Sequence, residues 1–170
     1  MNKSLLTSGA TDSGRFPLAR RRLLLAGAAV FACGASVAAP AVLPASASLP
    51  DELEQALKKG MPLVVMVSLD GCPFCKVARE SYLVPLRDQQ DVVVVQLDMR
   101  SRQRVKDFKG AMLTHDELIR SWGIKVAPTV LFFGRGGAEI AERMVGGYIP
   151  DFYGAYLDER LRLAQVALRS

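Results

Sequence analysis

Histidine and cysteine are scarce in these 170 residues, with one His and three Cys. A closed structural zinc site takes four ligands, commonly as two Cys/His pairs. Beyond the N-terminal region only Cys72, Cys75 and His115 remain, so one chain cannot close such a site. Long apolar runs are missing too. LLLAGAAVFACGASVAA, residues 23–39, is rich in Ala and Gly, and its 17 residues fall short of the roughly 20 a membrane span needs. Nor is there an internal repeat. Charge imbalance is confined to the start of the chain: five of the 22 Lys and Arg, but one of the 17 Asp and Glu, precede Ser48. The rest is close to neutral, so the formal charge of +5 does not argue for nucleic acid as a partner.

What is present at the N-terminus has the order of an export signal. Arg20, Arg21 and Arg22 flank the apolar run, and Ala45-Ser46-Ala47 fits an A-x-A cleavage site that would leave Ser48 first. Arg20 and Arg21 suit a twin-arginine signal, beside ordinary secretion as the alternative. Val30-Phe31-Ala32-Cys33 resembles a lipoprotein processing box, in which Cys33 would carry the lipid anchor and the Ala/Pro/Ser-rich stretch after it would form a tether. The expected organisation is an export signal and linker over residues 1–47 and one domain over residues 48–170, exported to the periplasm. Disulfides persist in such a compartment, and this domain keeps two cysteines.

Periodicity orders the domain. DELEQALKK (51–59) reads as a short helix, acids first and lysines last, ended by Gly60. PLVVMVSL (62–69) is an apolar run of strand length, expected to be buried on both faces. From Cys72 the pattern turns helical, with Pro85 expected to kink or interrupt it. DVVVVQLD (91–98) is a second such run, and two runs joined by a helix suggest parallel strands with a right-handed crossover. RSRQRVKDFKGAML shows little periodicity. Thr114-His115-Asp116-Glu117 then forms a capping box for a helix that Gly123 can close. TVLFF (129–133), the turn signal GRGG and AEIAERMVG give two antiparallel strands. Pro150 opens a last helix with Tyr153, Tyr156, Leu157, Leu161, Ala164 and Leu168 near one face.

The chemistry lies in LDGCPFCK, residues 69–76. A disulfide within it would close a tiny loop and add little stability. A soft-metal site using both thiolates, for copper delivery, stays open. Context favours a redox pair. Cys72 falls at a helix start after a buried strand, where unpaired N–H groups and the helix dipole favour a thiolate. Cys75 lies one turn in, close enough to resolve a mixed disulfide, and Pro73 suits a first turn. Cys72 would attack a substrate disulfide, and Cys75 would then attack Cys72 to release the reduced product. The reverse sequence oxidises a dithiol.

The strand–CPFCK–helix unit, with WGIKVAPTVLFF some fifty residues on, resembles the thioredoxin family over residues 51–169. The resemblance implies an α/β thioredoxin-like fold, with a central mixed sheet of about four strands flanked by helices. It also implies a protein thiol–disulfide oxidoreductase whose redox-active disulfide is Cys72-Cys75, with no further cofactor and no metal. Pro128 matches the family's cis-proline opposite the cysteines. With Ala127, Thr129 and the exposed Phe74, it implies a strand-like substrate contact. Pro73 and Lys76 take supporting positions.

More narrowly, CPFCKVARESYLVPL, DFKG, THDELIRSWGI and GGYIPDFYGAYL are similar to periplasmic thioredoxin-like proteins of the SoxW type, a group associated with keeping exported thiols reduced. Implied partners are protein or small-molecule disulfides and a membrane electron-transfer protein as reductant, for a monomer. The main expectation is a reductase, since residues 99–123 are too short for the helical insertion of periplasmic oxidants of the DsbA kind. A dithiol oxidase is the alternative. Three departures stand out: Gly71 replaces the family's Trp before the first cysteine, Pro73-Phe74 replaces its Gly-Pro dipeptide, and Met66 replaces its buried acid. Asp70 is nearer the pair in sequence but at a wetter strand end. His115 reads as a solvated first-turn residue, Trp122 as packing, and the basic run 100–109 as a solvated loop.

Overall fold

The computed structural model describes residues 42–147 and 150–170. The arginines of the expected export signal and Cys33 lie outside these residues. Strands β1 (Leu63–Ser68), β2 (Val94–Asp98), β5 (Thr129–Phe133) and β6 (Glu139–Val145) make one sheet in the order β2-β1-β5-β6. β1 runs parallel to β2 and antiparallel to β5, which is antiparallel to β6. This is the expected α/β architecture with a mixed four-stranded sheet. All six residues of β1 are buried, because a central strand between two apolar layers has no face left for water.

Alternation along β1 and β2 divides the core in two. Val64, Met66 and Val94 face one layer with Leu83, Leu86, Tyr153 and Leu157. Leu63, Val65, Val67, Val95 and Leu97 face the other, with α1 (Leu49–Lys58) and α4 (His115–Ser121) supplying Leu53, Ala56, Leu118 and Ile119. The site-bearing helix belongs to the first layer. It starts as α2 (Pro73–Val77), widens into a π-helical stretch (Ala78–Leu83) and continues as α3 (Val84–Gln90). Pro85 sits in the first turn of α3 directly after the π-helical stretch. The interruption expected from its missing N–H is thus taken up by a local widening rather than a break.

The stretch without clear periodicity holds a small hairpin, β3 (Arg104–Lys106) and β4 (Met112–Thr114). Its turn is held by Asp107, whose Oδ1 accepts from Lys109 N at 2.9 Å and Ala111 N at 2.7 Å. Three-residue strands are too short to show a period of two. The capping box of α4 forms as read: Glu117 N donates to Thr114 Oγ1, and Thr114 N donates to Glu117 Oε2 at 2.8 Å.

Two expectations are corrected. His115 is fully buried rather than solvated. Its Nδ1 accepts from Asp98 N at 3.1 Å and its Nε2 lies 2.9 Å from Ser46 O. A ring with one acceptor and one donor nitrogen can satisfy two backbone groups that would otherwise be orphaned. On α5 (Pro150–Arg169), Tyr153, Leu157, Leu161, Ala164 and Leu168 are buried, but Tyr156 is exposed.

Residues 43–48 pack onto this body. Leu43 and Ser46 are buried. Ser46 N donates to Gln96 O and Gln96 N to Pro44 O, both at 2.8 Å, in a parallel bridge along the outside of β2. Lys106 N donates to Ala47 O at 3.0 Å. The boundary expected at Ser48 falls within this paired segment.

Candidate redox site

Cys72 is the N-cap of α2, and its Sγ accepts the N–H of Cys75 at 3.1 Å. The cap is possible because Gly71 turns the chain at φ 71°, a conformation costly for any side chain. A Trp before the cysteine would not suit this turn. Both cysteines are free thiols. Cys72 is half-buried, whereas Cys75 is completely buried in the core layer that also holds Met66 and Ala78. Burial, reinforced by the hydrogen bond with Cys72, pushes the Cys75 thiol up to about 11. A backbone hydrogen bond from Leu69 and one from the Ser68 hydroxyl pull in the opposite direction. Cys75 is therefore a protonated thiol at neutral pH and must lose its proton before it can act as a nucleophile.

Opposite Cys72 lies the loop before β5. The Ala127-Pro128 peptide bond is cis, and Ala127 O lies 4.0 Å from Cys72 Sγ. Pro128 is buried and Ala127 partly exposed. The expectation that Thr129 contacts substrate does not extend to its side chain, which is fully buried and donates from Oγ1 to Val126 O at 2.8 Å. Thr129 braces the loop from within. Phe74 is 62% exposed and lies on the backbone of Gly147, where a Cβ would come within 3.0 Å of the ring. Val126 and Val145 are also exposed. Pro73 occupies the first turn of α2. Lys76 is exposed and paired with Glu80 at 2.5 Å. Of the residues singled out in the sequence, the structure thus gathers Cys72, Cys75 and the Ala127-Pro128 loop. It leaves Phe74 at the rim, Lys76 at the surface and Thr129 behind the loop.

Apart from Lys76, the polar edge of the same site was not legible in the sequence. A groove of about 800 Å³ runs beside Cys72, lined among others by Ser68, Lys76, Arg79, Gln96 and Asp98. Within it Arg79 Nη1 donates to Gln96 Oε1 at 3.0 Å, and Gln96 Nε2 donates to Asp98 Oδ1 at 2.7 Å. Ser68 pairs with Asp98 and Met66 with Gln96 in the β1–β2 register, so all four side chains share the face that carries Cys75. The available signal was position: these polar residues end two parallel apolar runs, and ligand sites in open α/β sheets gather at such carboxyl ends. Among the described residues no group of three or more His, Cys, Asp or Glu could hold a metal ion, and no helix is long and apolar enough to cross a membrane.

Comparison with known proteins bears on the same region. The thioredoxin-like domain family matches residues 49–160. No curated protein matches the chain. Among solved structures it is similar to Trxlp of Edwardsiella tarda EIB202, at 25% identity over 67% of this chain and 95% of that one, with a TM-score of 0.45. A DsbH oxidoreductase is 17% identical over 75% of this chain and 86% of that one, with a TM-score of 0.49. Thioredoxin O2 of Arabidopsis thaliana is 16% identical over 69% of this chain and 95% of that one, with a TM-score of 0.46.

Proposed function

Because the chain belongs to the thioredoxin-like domain family, we propose that it is an exported thiol–disulfide oxidoreductase working mainly as a disulfide reductase, on the SoxW-type pattern. One observation carries the reading: an accessible Cys72 Sγ capped by the N–H of a fully buried Cys75, opposite a cis-proline loop. The pair divides the labour of exchange. Cys72 can meet a substrate disulfide in line, while Cys75 is shielded from everything except Cys72. Attack forms the Cys72–substrate bond and expels one substrate thiolate. Attack by Cys75 then forms Cys72–Cys75 and releases the second, so the substrate gains two electrons and the pair loses them. No bound cofactor is needed, and a membrane electron-transfer protein would return the pair to the dithiol.

Direction is supported by the connection between β2 and β5, which carries only the β3–β4 hairpin and the seven-residue α4. Export is proposed on the arginine-flanked apolar leader. Processing upstream of Leu43 would keep the residues that pair with β2. The deciding measurement is the reduction potential of Cys72–Cys75 against glutathione or dithiothreitol. A value near about −250 mV or lower is expected, and one near about −120 to −150 mV would make the protein an oxidant instead. Cys72→Ser should abolish insulin reduction, and Cys75→Ser should accumulate mixed disulfides. Full activity in the first variant would sink the reading.

A further inference from the structure

The resolving step needs a base, and the position that holds the thioredoxin acid is Met66, fully buried in the apolar core. We propose that Asp98, on the neighbouring strand, is the proton acceptor for Cys75, reached through the Ser68 hydroxyl and water in the groove beside Cys72. The inference rests on the exchange reading above.

Three observations converge on it. First, Cys75 is sealed from solvent, while Ser68, 1% exposed, lies on the same face of β1 as the layer that holds Cys75 and lines the groove. A hydroxyl can accept one proton while donating its own, so Ser68 can pass a proton without holding charge. Second, Asp98 stands level with Ser68 in the parallel register and opens on the same groove. Third, Asp98 is held in place rather than loose. Gln96 Nε2 fixes Oδ1, Arg79 fixes Gln96, and the Asp98 N–H is fixed by His115 Nδ1. No described group donates to Oδ2, which leaves that oxygen for groove water.

The groups facing Asp98 and the groove come from each surrounding element. Lys76, Arg79 and Glu80 come from the helix, Asp70 and Cys72 from the preceding loop, and His115 from α4. Glu80 is already paired with Lys76, and Asp70 is exposed at the mouth. Asp98 is the carboxylate that shares the strand level of Ser68.

The step balances. In the mixed disulfide Cys75 gives its proton to Ser68 Oγ, and the Ser68 proton moves through water to the Asp98 carboxylate. The Cys75 thiolate forms a bond to Cys72 Sγ, the Cys72–substrate bond breaks, and the electron pair leaves on substrate sulfur. The carboxyl proton then goes to that thiolate through the groove, restoring Asp98. Before the Cys72–Cys75 bond forms, the relayed Ser68 proton points at the Cys75 sulfur, the arrangement that favours its thiolate.

Single-turnover resolution of a preformed mixed disulfide with a peptide thiol, followed across pH 5–9, tests this. Asp98→Asn keeps an oxygen for Gln96 but removes the charge, and should slow resolution by about 100-fold at pH 7, the usual scale of general-base catalysis. The slowing should shrink as hydroxide takes over. Ser68→Ala should behave alike, Asp98→Glu should recover most of the rate, and Asp70→Asn should match the unaltered protein. Thermal unfolding of each variant, followed by circular dichroism, reports whether it is folded. An unchanged pH profile in Asp98→Asn, or an equal loss in Asp70→Asn, overturns the assignment of Asp98. Failure to form any mixed disulfide in the unaltered protein overturns the exchange reading itself.

Discussion

The two faces of β1 and β2 begin alike and end differently. On the face toward α1 and α4, Leu63, Val65 and Val67 align with Val95 and Leu97, apolar to the last residue. On the other face Val64, Met66 and Val94 give way to Ser68, Gln96 and Asp98. The change occurs where Cys75 packs. One face is used for cohesion alone, while the other gives up three apolar positions to place polar groups at the edge of the layer that holds a buried thiol. Alternation with a period of two lets the same strands do both.

The largest way to sharpen that contrast is Leu97→Ala. Leu97 is fully buried among apolar side chains, so its truncation should cost about 3 kcal/mol of unfolding free energy. The reduction potential should stay as it was. Denaturant titration beside a redox titration measures both, and a shifted potential would break the separation of the faces.

His115 tests the join between them, since it ties Asp98 N to Ser46 O. His115→Ala leaves two backbone groups without partners and should cost about 2 kcal/mol. If thermal unfolding shows no loss, the backbone groups have found water.

The smallest effect belongs to Thr114→Ala, which removes the cap of α4 and should cost about 1 kcal/mol near neutral pH. Its pH dependence has a definite sign. The hydrogen bonds from Thr114 hold the Glu117 carboxyl below its usual range. That share of the box is present above the ordinary carboxylate range and is lost as pH falls through the lowered value. The gap between the two proteins should therefore narrow in acid, and a gap that widens would contradict the capping geometry.

Long periodic segments made most of the fold legible. PLVVMVSL, DVVVVQLD and TVLFF are strands because β-branched apolar runs of that length can be buried on both faces. CPFC and the Ala127-Pro128 loop were legible through spacing and resemblance. The hairpin was not, because its order comes from Asp107 and from pairing rather than from pattern. His115 misled because a polar residue in a capping box ordinarily faces water. Only the tertiary placement of Asp98 and Ser46 shows that both ring nitrogens are satisfied. Ser68 and Asp98 were hidden for a related reason: thirty positions apart in sequence, they are joined by register alone.

The strand-like segment that lies along β2 also changes what the sheet edge offers to another chain. An open outer strand invites a second chain to pair with it. Here Pro44 and Ser46 occupy the outer backbone groups of Gln96, and β6, at the opposite rim, carries Glu139, Glu142 and Arg143, each in an ion pair. One rim is closed by the protein's own chain and the other is guarded by charge. At both rims the sheet is thereby kept from adopting another chain as an extra strand.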